Sequence, residues 1–221
     1  MSLLGFDTST AASSACVLRD DTGAFEVRPA PARLGRPPAH STELMPAVIE
    51  VMDSSGLDWG ALDAIAVGVG PGAFTGLRIG VATARALAGA NDLPLRPVSS
   101  LAALAAGIEA DARLAVIDAK RGEVFAALYG PEGCVWGPAA MRPEALAERV
   151  RTSGFDPLAA GDGSVRFRGA LESDGIRVAP DEAGAHVISG LQICRLAQGV
   201  ADEPPEAVLP DYLRAPDAKP Q

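Results

Sequence analysis

The pattern that most narrows what this chain can become occurs twice. Residues 3–7 form a short apolar run that ends on Asp7, and residues 114–118 form another that ends on Asp118. Behind the first come strand-like runs at 13–19 and 25–28, separated by the turn chemistry of Asp20-Asp21-Thr22-Gly23. Behind the second come runs at 123–129 and 134–137, turned by Gly130-Pro131-Glu132-Gly133. Two halves that each open with an antiparallel meander predict a duplicated α/β lobe. An ordinary doubly wound sheet is the alternative.

The intervening segments fit either plan. Residues 42–55 read as a helix with Leu44, Val48, Val51 and Met52 on one face, Pro46 in its first turn and Gly56 as its stop. A strand at 63–69 leads through Gly70-Pro71-Gly72 into a helix at 75–90, which Asn91-Asp92 closes. A strand at 95–98 and a short helix at 101–108 end the first half. The second half adds a helix at 143–151, a short strand at 157–160, one long helix at 183–200 and an extended proline-rich tail. These bounds predict an N-terminal lobe over 1–108 and a smaller C-terminal lobe over 109–221, with the last helix and tail returning to the first.

Charge and cysteine usage exclude several functions. With 19 basic against 28 acidic side chains the formal charge is −9, and only Lys120 and Lys219 are lysines. Such a surface repels a phosphate backbone, which leaves only a local patch around Arg142, Arg149, Arg151, Arg166, Arg168 and Arg177 for nucleic acid. Cys16, Cys134 and Cys194 are odd in number and lie in no C-x-x-C, so they read as small buried residues of a reducing compartment. No basic leader and no apolar run of bilayer length is evident, and the expected location is the cytoplasm.

Four features invite chemistry. In Asp7-Thr8-Ser9-Thr10, hydroxyls and backbone N–H groups after a buried strand can cradle phosphate, with the aspartate beside a hydrated Mg²⁺. The same residues make a good turn by bonding their own backbone, and without context that reading prevails. Asp118-Ala119-Lys120-Arg121-Gly122-Glu123 is either a second phosphate-side turn or a charged hairpin tip. The block Gly68-Val69-Gly70-Pro71-Gly72-Ala73-Phe74-Thr75-Gly76 has neither G-x-G-x-x-G nor P-loop spacing, so its glycines serve geometry. In the helix that follows, Gly76, Gly80, Ala84 and Ala88 recur every four residues. That stripe marks close approach of another backbone, from the chain's own sheet or from another subunit. The histidines His40 and His186 form no H-x-x-x-H pair, and no G-x-S-x-G elbow occurs.

Taken in order, several stretches resemble the TsaB family of bacterial tRNA threonylcarbamoyladenosine biosynthesis proteins, within the TsaD-like group formerly called glycoproteases. They are residues 4–10; His40-Ser41 with Leu44 and Pro46; the block at 70–80; Val98-Ser99-Ser100-Leu101; the turn at 118–125; and Pro210-Asp211-Tyr212-Leu213-Arg214. The resemblance runs nearly end to end, most of it within the first 130 residues, and the Gly-Pro-Gly block is its most specific piece. Ala73 and Lys120 stand where that pattern has serine and arginine.

The resemblance implies an actin/Hsp70/sugar-kinase-like (ribonuclease H-like) α/β fold of two duplicated lobes, the second reduced. It implies a non-catalytic scaffold that activates TsaD beside the ATPase TsaE. That complex transfers threonylcarbamoyl to N6 of the adenosine 3′ of the anticodon in tRNAs reading ANN codons. The metal-binding histidines of the catalytic relative have no counterpart in Val98-Ser99-Ser100-Leu101-Ala102-Ala103-Leu104, and Gly161-Asp162-Gly163 is a weak candidate for an adenosine-binding glycine pair. The nucleotide- or phosphate-facing residues are then Asp7, Thr8, Ser9, Thr10 and Asp118, with no tightly bound cofactor expected and ATP or ADP with Mg²⁺ entering in the complex. The implied subunit interface comprises His40, Leu44, Val48, Val51, Thr75, Gly76, Leu77, Gly80, Val81 and Ala84, and a homodimer through the same helices when alone. On that reading a bulky residue at Gly80 blocks the partner without touching the isolated fold. The rivals are an autonomous Mg-dependent ATPase or kinase using Asp7 and Asp118, and a metallopeptidase, which needs a metal site that two separated histidines do not supply.

Overall fold

The computed structural model describes residues 1–19 and 23–213. The turn expected at Asp20-Asp21-Thr22 and the tail residue Arg214 lie outside the described residues. The first sheet comprises β1 (Ser2–Asp7), β2 (Ser14–Arg19), β3 (Gly23–Val27), β4 (Ala64–Gly70) and β5 (Leu95–Ser99), in spatial order β3-β2-β1-β4-β5. β1, β2 and β3 form an antiparallel meander, and β4 and β5 run parallel to β1. The second comprises β6 (Arg113–Lys120), β7 (Glu123–Gly130), β8 (Gly133–Met141), β9 (Leu158–Ala160) and β10 (Arg177–Val178). Read from its far edge, its order is β8-β7-β6-β9-β10, again an antiparallel meander followed by two strands parallel to its first. One plan is therefore used twice, and the duplication legible in the two meanders extends to the whole sheet. In the second copy the last two strands shrink to three and two residues.

The helices sort by the face they cover. α1 (His40–Ser55) and α2 (Phe74–Asn91) lie on the outer face of the first sheet, where Leu44, Val48, Val51, Val81 and Ala84 pack on Leu4, Phe6, Ile65 and Val67. α3 (Ser100–Ala106) and α7 (Gly190–Ala197) fill the space between the sheets, joining Leu3, Cys16 and Ala66 to Ala115, Ile117 and Phe125. α4 (Pro143–Ser153) and α6 (Arg168–Ser173) cover the outer face of the second sheet, while α5 (Asp162–Arg166) follows β9. β1 is buried on both faces: Leu3 points to the inter-sheet layer, while Leu4 and Phe6 point beneath α1 and α2. Each such side chain contributes about 1.5–3 kcal/mol of burial, which explains a strand that reads as a continuous apolar run.

Several expectations are corrected. The helix expected at 183–200 is a short 3-10 turn at Gly184–His186, an extended stretch, and then α7, because Ser189 stops there to cap α7 by accepting the Gln192 N–H at 3.3 Å. Pro46 sits in the second turn of α1, not its first. Both it and Thr42 are exposed, so water can satisfy the carbonyl that loses its partner. Cys16 and Cys194 are buried as expected, but Cys134 is exposed on β8. β8 itself runs to Met141, and α5, α6 and β10 have no strong apolar period to announce them.

The tail returns to the first sheet. Glu203 pairs with Leu95, Val208 is buried among the core residues under α1 and α2, and the Asp211 N–H donates to Val69 O at 2.7 Å. α7 docks on the same sheet at two glycines: a Cβ on Gly190 meets the Ala15 carbonyl carbon at 2.7 Å, and one on Gly5 meets Cys194 Sγ at 2.6 Å. Gly190→Val is expected to lower unfolding stability by about 1–3 kcal/mol through overpacking. Gly89→Ala, at an exposed α2 position with nothing within 4 Å, is expected to raise it by about 0.5–1 kcal/mol. Urea denaturation of both variants measures the contrast.

Candidate functional site

Asp7 closes β1 with a carboxylate that is 1% exposed. Its Oδ1 accepts the Ser9 N–H at 2.8 Å and the Ser9 hydroxyl at 2.7 Å, and its Oδ2 accepts the Ser100 hydroxyl at 2.7 Å. Ser100 in turn accepts the Gly70 N–H at 3.2 Å, so one side chain joins β1, its following loop, the end of β4 and the start of α3. Gly68 must lack a side chain, because a Cβ there overlaps Asp7 Oδ2. Burial pushes the Asp7 carboxyl above its ordinary range, and the bonds from Ser100 and Ser9 oppose that shift.

The loop after Asp7 lies on α2. The Thr8 hydroxyl donates to Gly76 O at 2.7 Å, and side chains at Gly72, Gly76 or Gly80 overlap Ser9, the Thr8 carbonyl and Thr8 Oγ1 respectively. The small-residue stripe is therefore the bed for the chain's own loop. This corrects the expected interface: Leu44, Val48, Val51, Gly76, Leu77, Gly80, Val81 and Ala84 are all buried within the chain. Gly80→Leu is therefore expected to disturb the fold itself, because any side chain there meets the Thr8 hydroxyl. His40 is also internal; its Nδ1 lies 2.8 Å from the Ser13 hydroxyl, and burial lowers its pKa. Of that set only Thr75 is exposed.

The second meander supplies the other half of the site. Lys120, Arg121 and Gly122 turn from β6 to β7 with φ of 63°, 55° and 80°. Left-handed backbone costs the two non-glycine residues roughly 1–2 kcal/mol each. The turn folds Lys120 back on Asp118: its N–H reaches Oδ1 at 2.9 Å and its ammonium reaches Oδ2 at 2.8 Å. Arg166 of α5 donates to the same Oδ2 at 2.7 Å. Burial alone would raise the Asp118 pKa, but these bonds outweigh it and hold the carboxyl below its ordinary value. Asp162, whose Oδ1 accepts the Asp118 N–H at 3.0 Å, is pushed up to about 6 by burial and by the Asp118 charge.

Between these loops lies a cleft of about 880 Å³. Ser9, Thr10 and Asp118 line it, with Lys120, Asp162 and Arg166. Asp7 and Thr8 do not, which corrects their expected phosphate-facing role: their polar atoms are spent inside the sheet junction. Asp7 and Asp118 thus do not share a metal position. No three His, Cys, Asp or Glu side chains converge among the described residues. His186 accepts the Gly161 N–H at 3.1 Å and turns its other nitrogen to the carbonyls of Ala179 and Pro180. Gly161, held at φ 115° against the Val116 carbonyl, serves backbone packing.

The far wall of the cleft is a segment the sequence reading passed over, residues 30–38, whose prolines are the signal that could have flagged it. Arg33 pins it to α1 by donating to both Glu43 oxygens, at 2.9 and 3.0 Å. A second overlooked feature is the tail on α2, where the Tyr212 and Phe74 rings lie 4.8 Å apart and Arg78 donates to the Tyr212 hydroxyl at 3.1 Å. Among the exposed charged and polar side chains of these helices, such as Glu50 and Asp53, some apolar surface remains: Met45 and Ile49 on α1 are 36% and 51% exposed, and Ala82 and Ala86 are exposed beside the half-buried Ile79 on the adjacent α2. The arginine patch considered for nucleic acid is largely paired internally: Arg151 with Glu148 and Asp174, Arg166 with Asp118, Arg168 with Glu172 and Asp181, and Arg177 with Asp156.

Comparison with known proteins supports the family and the fold. The family model described as TsaD, tRNA N6-adenosine threonylcarbamoyltransferase, matches residues 36–149. The Escherichia coli protein TsaB, a tRNA threonylcarbamoyladenosine biosynthesis protein, is 34% identical over 174 residues, covering 74% of this chain and 72% of that protein. The structure of YeaZ from Pseudomonas aeruginosa superposes with a TM-score of 0.77 at 28% identity, covering 96% of this chain and 99% of that one. An activator of 2-hydroxyisocaproyl-CoA dehydratase from Clostridium difficile, at 11% identity and a TM-score of 0.51 over 90% of this chain and 96% of that one, shares the fold alone. The architecture is the actin/Hsp70-like α/β fold.

Asp7→Ala is expected to cost about 2–4 kcal/mol of stability, because it leaves the Ser9 and Ser100 donors buried without an acceptor; denaturant unfolding measures it. Asp162 gives a pH signature. Its folded-state pKa of about 6 lies above the ordinary aspartate value of 3.8, so its proton contributes stability fully below 3.8 that is lost as pH rises through 6. Asp162→Asn is expected to flatten the thermal-midpoint profile over that window relative to the parent protein.

Proposed function

The chain belongs to the TsaB family of tRNA threonylcarbamoyladenosine biosynthesis proteins, and on that premise we propose that it is a non-catalytic subunit that holds and activates TsaD. The observation that carries this reading is the exposed apolar surface shared by α1 and α2. Met45, Ile49, Ala82 and Ala86 are exposed, with Ile79 half-buried beside them, whereas the small-residue stripe behind them is already used. Apolar helix faces of this kind are what partner helices cover. The partner surface is therefore the outward side of these helices, rotated from the stripe that the sequence suggested.

The cleft supports the same division of labour. A self-sufficient Mg-dependent ATPase or kinase needs carboxylates free to hold the metal. Here Asp7 is bound to serines and Asp118 to two cations. A metallopeptidase reading has no convergent ligand set among the described residues to draw on. ATP and Mg²⁺ then enter the reaction through the partners, TsaE among them. With a formal charge of −9 and its second-half arginines largely paired, the subunit meets tRNA through the complex, in the cytoplasm. Alone, the chain forms a homodimer through the same α1/α2 surface.

Ile49→Glu combined with Ala82→Arg places charge on that surface without touching the buried side of either helix. The double variant is expected to remain folded, to sediment as a monomer, and to lose co-purification with TsaD by at least about tenfold. The tRNA modification assay should fall with it, to the level expected when the subunit is omitted. An intact complex formed by the double variant would count against this surface.

A further inference from the structure

Two arginines escape the pairing that occupies the rest of the second lobe's patch. Arg151, Arg166, Arg168 and Arg177 each bond to a carboxylate, whereas Arg142 and Arg149 are exposed and have no carboxylate partner among the described residues. Arg142 follows directly on β8 as the N-cap residue of α4, and Arg149 comes two turns later. Helix geometry puts both on one flank, about 10 Å apart along the axis. The acidic residues of α4, Glu144 and Glu148, project about 100° or more away from Arg149. Arg149 is also held in place. Its guanidinium lies over the ring of Trp136 on β8, 4.3 Å from the centroid, and Trp136 is half-buried against the core beneath α4. Stacking uses the flat face of the guanidinium and leaves its in-plane N–H donors for an outside acceptor, with little side-chain freedom left to lose.

The geometry points to this flank of α4 as the surface through which the chain itself touches RNA, with Arg142 and Arg149 each on a backbone phosphate of a tRNA held by the complex. The inference rests on the reading of the chain as a TsaD-binding subunit. A guanidinium fork matches phosphate bidentately, and two such heads about 10 Å apart suit an extended polyanion that engages both at once. Neither arginine lines the cleft, so the site is distinct from the turns after β1 and β6. Its position also permits a ternary arrangement. α4 covers the outer face of the second sheet and α1 and α2 the outer face of the first, so a partner on those helices leaves the α4 flank open. Two contacts do not overcome a formal charge of −9, so the isolated chain holds RNA poorly. The contact becomes effective when the partner supplies the rest of the footprint.

The test measures tRNA binding by the assembled complex with TsaD over a series of salt concentrations, with the parent chain and with Arg142→Ala combined with Arg149→Ala. The double variant is expected to bind at least about fivefold more weakly and to lower the slope of log affinity against log salt by about 1–2, as the loss of two phosphate contacts requires. The loss should be alike for tRNAs of different sequence, because phosphate contacts carry no sequence information. Co-purification with TsaD is expected to be unchanged. Should the double variant lower the thermal midpoint, because Arg149 covers Trp136, Arg142→Glu alone gives the same readout at an exposed position without uncovering that ring. Unchanged affinity and salt slope in both variants overturn the proposal. So does a loss of TsaD co-purification by either variant, which makes the flank a protein contact. Failure of the parent chain itself to co-purify with TsaD overturns the reading beneath the proposal, and it is seen before any RNA is added.

Discussion

The buried carboxylate of Asp7 is the interaction on which the rest of the first lobe depends. It accepts from Ser9 twice and from Ser100 once, and Ser100 accepts from Gly70. Through these bonds the end of β1 is fixed to the end of β4 and to the first residue of α3. The arrangement demands glycine at 68, where any side chain would displace the carboxylate. It also sets the path of the next residues, which settle Thr8 and Ser9 onto Gly72, Gly76 and Gly80 of the block that begins α2. A loop able in principle to cradle phosphate is thereby converted into an internal joint.

The second lobe answers the same geometric problem with charge. Asp118 occupies the position in β6 that Asp7 occupies in β1, and it is satisfied by Lys120 and Arg166, not by serines. Serine pairs can be buried cheaply, whereas an ammonium and a guanidinium keep their heads near water, so this joint stays at the surface of the cleft. The duplication therefore yields one closed junction and one open one. Whatever chemistry the cleft retains belongs to the open side, and the closed side serves the fold.

The same asymmetry separates the surfaces. α1 and α2 each bury one face on the first sheet and leave an apolar face outward, with the returning tail and its Phe74, Arg78 and Tyr212 cluster at one end. Membership of the family of tRNA threonylcarbamoyladenosine biosynthesis proteins, an occupied first loop and the exposed apolar side chains of these helices are what support the proposal of a subunit that acts by binding.

The sequence by itself determined the elements and their duplication. The turn chemistry between the strands of the meanders, the apolar run of β1 and the glycine stop of α1 are local signals, and local physics is enough to read them. It also determined that Gly76, Gly80 and Ala84 meet another backbone, because glycine in a helix is costly without one. Only the tertiary structure decided whose backbone that is, since the helical period gives a face but not its occupant. The same limit hid the fate of Asp7 and Thr8, whose partners Ser100 and Gly76 lie 93 and 68 residues away. It hid the split of residues 183–200 as well, where an apolar segment reads as helix until Ser189 stops to cap α7. Side chains that bond their own loop and side chains that face a ligand look alike in a sequence. What separates them is which donors and acceptors the fold brings within reach.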